Sequence, residues 1–171
     1  DLSEELQDER CPRPLRGIVH DTIDKQLSAL RGEEILVSGR HGDFGGWNII
    51  AGKDGITVID FLGTQIDPIA IDLTKMLMNF EDEKRYLAYS AKRIDILKDE
   101  FLEGYGKLPE VQVPVLIICE MVYRIYSLYG SLMNPEKRLH RRIERGLSMK
   151  SNISWLMQRE KTPSLWPIKR I

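Results

Sequence analysis

The sequence predicts a mainly α-helical domain with one small β-hairpin set into it, an α+β arrangement. Three observations carry that expectation. Apolar residues recur at helical spacing through most of the chain, as at Ile23, Leu27 and Leu30. Two β-prone runs, Asn48–Ile50 and Ile56–Phe61, flank Lys53-Asp54-Gly55, a loop with glycine at its third, left-handed position. The glycine-rich stretch Ser38–Gly46 just before the hairpin has the composition of a loop.

Taken in order, residues 1 to about 31 read as helical with a break at Cys11-Pro12-Arg13-Pro14, and Gly32 is suited to end the helix. Ile35–Val37 reads as a strand or the approach to a loop. Beyond the hairpin, Asp67-Pro68 marks a turn, and Ile71–Phe80 has helical spacing with Asp67 or Asp72 as its N-cap. Glu81–Glu103 reads as one helix, or two joined at a bend. Pro114–Met133 is the next, with proline in a first turn where its missing N–H costs little. Asn134-Pro135 opens a basic helix to about Arg145, and Ser151–Glu160 is the last. Residues 1–171 are expected to form a single domain, with a loop and hairpin at 38–63 and a helical region at 71–160.

A chain of 171 residues can bury a sizeable core. Its formal net charge of -1 gives no electrostatic case for nucleic acid or an anionic membrane. Cys11 and Cys119 are far apart and show no metal-ligand spacing, so both are expected as free thiols. The opening Asp1-Leu2-Ser3-Glu4-Glu5 is acidic where a secretory signal would be basic and then apolar, so a cytoplasmic location is expected. The longest apolar stretch, Val113–Met133, contains Pro114, Glu120 and Arg124. It reads as a buried helix, not a membrane span.

The chemistry is concentrated in His41-Gly42-Asp43-Phe44-Gly45-Gly46-Trp47-Asn48, and in Asp60 at the end of an apolar strand. Phosphoryl transfer needs a carboxylate to orient the attacking hydroxyl, and hard oxygen ligands to hold Mg²⁺ against phosphates. Asp43, Asn48 and Asp60 are of those types. By itself HxDxxxxN arises by chance in about one chain in a hundred of this length. Hairpin geometry adds weight. If Lys53–Gly55 form the loop, Gly52 faces Ile56, Ile50 faces Val58 and Asn48 faces Asp60, which would bring a carboxamide and a carboxylate to one point.

Quoted in full, HGDFGGWNII, ITVIDF and DPIAIDLTKML resemble the aminoglycoside phosphotransferase and choline kinase family, the phosphotransferase enzyme family. Phe101-Leu102-Glu103-Gly104-Tyr105 is similar to that family's helix end. The resemblance covers about residues 35 to 105 well and the later helices loosely. It implies the C-terminal lobe of a protein-kinase-like fold, and ATP- or GTP-dependent, Mg²⁺-requiring transfer to a hydroxyl of a small molecule: an aminoglycoside, an amino alcohol or a sugar-like compound. It also implies Asp43 as catalytic base, Asn48 and Asp60 as Mg²⁺ ligands, His41 as a structural support, and Asp72 as a buried partner of the catalytic loop.

The sequence departs from the family in two ways. Gly46-Trp47 stands where many members have other small or proline-containing pairs. Residues 1 to 40 contain no GxGxxG and no strand lysine, so the nucleotide-clamping N-terminal lobe is expected to be absent and the chain inactive alone. Trp47 is a candidate substrate contact or a plug of the loop, and Glu120 a candidate substrate contact against the simpler reading of an ion pair with Arg124. Met76, Met78, Tyr123, Tyr126 and Tyr129 are read as core, His20 and His140 as surface, and Lys137–Arg145 as a solvated face. Two other functions stand beside the kinase: a non-catalytic binding domain derived from one, and a Mg²⁺ hydrolase with an Asp-rich loop. The hydrolase fits less well, because its first Asp would end a strand.

Overall fold

The computed structural model describes residues 13–63, 65–84, 89–133 and 139–159. Five helices account for most of them: α1 (Arg13–Ala29), α2 (Ala70–Glu83), α3 (Ala91–Tyr105), α4 (Gln112–Met133) and α5 (Leu139–Arg159). Four short strands, β1 (Val37–Gly39), β2 (Ile49–Gly52), β3 (Gly55–Val58) and β4 (Ile66–Pro68), form two antiparallel ribbons. The α+β class is as expected, but the sheet content is larger. The stretch 66–68, expected to turn at Asp67-Pro68, is a strand paired with β1, with Ser38 opposite Asp67.

The chain groups into two compact units. One is Gly32–Glu120. It holds both ribbons, α2, α3 and the first part of α4. Its core is built from the inward stripe of α2 (Ala70, Leu73, Met76, Leu77, Met78) with Ile94, Leu108, Val115, Leu116 and Ile117. Burying side chains of this size stabilises by about 1.5–3 kcal/mol each, so α2 is held by packing more than by its caps. Its N-cap, Ile69, offers no side-chain bond. The expected capping by Asp67 or Asp72 does not occur, because both carboxylates are bound elsewhere: Asp67 to Arg40, Asp72 to the loop before β2.

The other unit combines the described residues up to Arg31 with those from Met121 onward. Here α1 packs on α5, with Val19, Met121, Ile125, Leu128 and Leu156 buried. Arg124 is also buried, bonded to Asn152 Oδ1 at 2.9 Å and stacked over the Trp155 ring at 4.4 Å. Tyr126, expected in the core, is exposed because it lies off the stripe formed by Met121, Ile125 and Leu128. The last two expected helices are one: α5 runs through Gly146, since one glycine in a helix costs only about 1 kcal/mol relative to alanine. The side chains of Lys137–Arg145, His140 included, and Cys11 lie outside the described ones. His20 is exposed and pairs with Asp24.

Helix α4 is long and apolar enough to cross a bilayer by length and composition, yet it carries two ionisable residues that are buried, Glu120 and Arg124. Directly before Glu120, burial pushes the Cys119 thiol up to about 11.

Helices α2 and α3 are also joined by charge. Glu81 accepts from Lys98 at 2.9 Å and from Lys84 at 3.0 Å, and Lys84 also pairs with Asp95. Burial raises the Glu81 carboxyl, but the two ammonium groups outweigh it and hold it below the ordinary carboxylate value. A folded-state value below the unfolded one stabilises fully above the unfolded pKa of about 4.3, and that stability is lost as pH falls through the folded value. Glu81→Gln is therefore expected to lower the melting temperature by a few degrees at pH 7 and by less at pH 3. Thermal melts across that range check it, and an equal loss at both pH values would refute it.

Candidate active site

The loop from His41 to Asn48 is fixed from three sides. Its entry is stitched to the segment after β3: Leu62 N–H donates to His41 O at 2.8 Å, and Arg40 N–H to Gln65 O at 2.8 Å. The His41 ring is buried, its Nε2 lies 2.9 Å from Ile59 O, and its Nδ1 accepts Asp43 N–H at 3.3 Å. A carbonyl facing one nitrogen and an N–H facing the other select the neutral tautomer with its proton on Nε2. The ring also lies 4.4 Å from that of Phe61. Gly42 adopts φ +85, a conformation that favours glycine, and a Cβ there would lie a tight 3.2 Å from Leu62 Cβ.

The third side is one face of α2. Asp72, Lys75 and Asn79 follow an i, i+3, i+7 spacing, which aligns them on a helix. Asp72 accepts His41 N–H at 2.6 Å and Gly42 N–H at 3.1 Å. Lys75 donates to Gly42 O at 3.2 Å and to Asp43 Oδ1 at 2.5 Å. Asn79 Oδ1 accepts Gly46 N–H at 3.0 Å. Phe44 seats the loop's apolar side near Phe101, which in turn lies 5.7 Å from Phe80.

These contacts converge on Asp43. Its Oδ2 accepts Trp47 Nε1–H at 3.0 Å and Asn48 Nδ2–H at 3.3 Å, and its Oδ1 takes Lys75. The bonds from Lys75 and then Trp47 hold the carboxyl below the ordinary carboxylate range. Two donors occupy the two lone pairs of Oδ2, and Oδ1 keeps one lone pair open.

Trp47 therefore does not plug the loop against the core. The residue is 56 % exposed, and its ring covers Gly45, where a Cβ would meet it at 2.5 Å. Asn48 is buried in a short 3-10 turn, Gly46–Asn48, ahead of β2. Its Nδ2 also donates to Asp43 O at 2.9 Å. Both neighbours at that end are acceptors, so the amide must face them with its NH₂ group, which turns Oδ1 the other way.

The expected pairing of Asn48 with Asp60 is off by one residue. The ladder pairs Gly52 with Gly55 and Ile49 with Val58 across a two-residue loop, and Ile59 N–H donates to Asn48 O at 3.0 Å. Ile59, not Asp60, thus stands opposite Asn48. In a regular strand the next side chain would point to the opposite face. At Asp60, however, the backbone turns left-handed (φ 60), alone among the described non-glycine residues, and the alternation ends there. Gly55 does take the positive φ expected of it. Glu120 is fully buried in mid-helix.

The sequence profile described as the phosphotransferase enzyme family matches residues 2–111, more than half of the chain. The chain belongs to this family. No curated protein and no solved structure gives a match. The family profile spans the loop, both ribbons, α2 and α3, and begins well before the motif-bearing residues.

A phosphotransferase that uses Mg²⁺ would need oxygen donors beside this loop. The Asn48 oxygen, turned away from Asp43, and the exposed Asp60 carboxylate are hard oxygen donors of the type Mg²⁺ takes. Among the described residues no group of three or more His, Cys, Asp or Glu converges. Mg²⁺ is usually held by one or two protein groups and draws its other ligands from phosphate and water. Sequence reasoning missed Lys75 and Asn79. The available signal was their spacing with Asp72 on a helix whose other positions, Leu73, Met76, Leu77 and Met78, form the core.

Proposed function

We propose that this chain is the chemistry-bearing C-terminal lobe of a kinase that transfers the γ-phosphoryl group of ATP or GTP to a hydroxyl of a small molecule. The observation that carries the reading is the Asp43 carboxylate, fixed by three donors with one acceptor position left open. An acceptor hydroxyl donating to that open lone pair of Oδ1 is held in line for attack. As its oxygen bonds to phosphorus and the bond to the nucleoside diphosphate breaks, its proton passes to Asp43. In a loose transition state the proton is needed late, so a carboxylate held ionised serves mainly to orient. When bound by Asn48 and Asp60, Mg²⁺ would supply charge neutralisation on the nucleotide phosphates.

Exposed apolar residues near the loop support a lobe that covers them. Val37, Ile50, Ile56 and Ile66 on the ribbons, and Leu36, Phe61 and Leu62 in the segments next to them, are all at least 50 % exposed, a larger apolar set than a solvated surface usually carries. We infer that a nucleotide-clamping lobe covers them in the working enzyme, and that residues 1–171 alone turn over poorly. Aminoglycosides, amino alcohols and sugars are the acceptor classes proposed, and the cytoplasm the compartment. The test is a panel of these acceptors offered to the full-length protein with ATP and with GTP, reading nucleoside diphosphate and phosphorylated acceptor. Mg²⁺-dependent product from at least one class is expected. Tight binding of a ligand without any transfer would favour a non-catalytic binding domain instead.

A further inference from the structure

Lys75 is a residue that neither the motif nor family membership assigns to the reaction, and its position is unusual for a helix lysine. Exposed lysines keep their ammonium in water; here the side chain is only 28 % exposed and its ammonium is bonded at two points of the loop. One point is a backbone oxygen, Gly42 O, which Asp72 helps fix by accepting that residue's N–H. The other is Asp43 Oδ1, the oxygen with the open lone pair. The lysine therefore ties the carboxylate to a backbone atom that cannot move independently of α2.

We propose that Lys75 is a positioning residue for phosphoryl transfer, locking the Asp43 carboxylate so that Oδ1 presents a single open acceptor site to the incoming hydroxyl. The inference rests on the kinase reading above. The geometry gives the reason for the lock. Oδ2 is fixed by Trp47 and Asn48, and both lie on the same loop as Asp43, so their bonds travel with it. Lys75 is the donor to this carboxylate that comes from α2, with its buried core stripe. Without it, Oδ1 has two open lone pairs and the carboxylate can rotate. Misplacing a reacting group by about 1 Å can cost on the order of a hundredfold in rate. One cation beside Asp43 also offsets a negative charge that would otherwise face the phosphates.

The experiment uses the full-length protein with Lys75→Ala, and Lys75→Met to keep the stem's packing without its charge. Three readouts are taken: the split between kcat and KM, recovery of kcat with added ethylammonium, and the indole N–H resonance of Trp47, assigned with Trp47→Phe. Expected are a kcat lower by about a hundredfold, KM for the acceptor within about threefold, partial recovery with the small amine but not with tetramethylammonium, and a displaced Trp47 resonance in both variants. A variant with kcat within twofold of wild type, or one that loses activity without amine recovery and without movement of the Trp47 resonance, would overturn the proposal. If the wild-type protein transfers no phosphate, the kinase reading falls and this role falls with it. If Asp43→Asn abolishes transfer while both Lys75 variants keep it, only the present inference fails.

Discussion

Replacing Asp43 by asparagine is expected to lower kcat about a thousandfold, within the range for removal of a positioned acid–base group, with KM for the nucleotide nearly unchanged. The substitution preserves size but not bonding. The carboxylate oxygens accept three donors, one from Lys75 and two from Trp47 and Asn48. An amide has a single oxygen. Whichever side its NH₂ takes, it confronts a donor, and the ammonium of Lys75 loses its counter-charge. The open lone pair on Oδ1 is lost or displaced in either orientation. Steady-state kinetics on the full-length protein measure this directly. Retention of more than a tenth of wild-type kcat would show that Asp43 does not orient the hydroxyl, and the kinase reading would then rest on the family alone.

The parts of this site that were readable in the sequence are those written locally. His41 to Asn48 names its own loop, because its glycines and short polar residues leave no helical or strand alternative. The hairpin was readable in existence and in the role of Gly55, but not in register. Register depends on whether Gly55 closes the loop or opens the strand, and on the left-handed turn at Asp60, for which an aspartate gives only a weak local signal. A shift of one residue is enough to move a partner to the other face.

What was not readable is what connects distant segments. Strands β1 and β4 have three residues each and include Gly39 and Pro68, which depress strand propensity; they exist because pairing across the loop's base holds them. Lys75 and Asn79 reach residues more than thirty positions away. Nothing local separates them from ordinary surface residues of a helix. Once Asp72 is known to face the loop, however, helical spacing requires that 75 and 79 face it too.

The same face of α2 supplies a second large effect. Asp72→Ala is expected to destabilise the unit Gly32–Glu120 by about 2–4 kcal/mol, since it removes two backbone-to-carboxylate bonds of a kind worth about 1.5–3 kcal/mol each, discounted for partial exposure. Transfer should fall with it. The His41 and Gly42 N–H groups lose their acceptor, and Gly42 carries the carbonyl that Lys75 uses to hold Asp43. Asp72→Asn offers one oxygen for the two N–H donors and should fall between wild type and Ala in stability. Hydrogen exchange at the His41 and Gly42 amides separates this clamp from a general loss of packing: the two amides should lose protection in Asp72→Ala while those of the buried α2 residues Met76 and Leu77 keep theirs relative to the global opening. Unchanged protection at His41 and Gly42 would mean that the loop is held by the ribbon β1–β4 and the aromatic contacts of Phe44 and Phe61. The helix face would then be a consequence of the loop's shape instead of its cause.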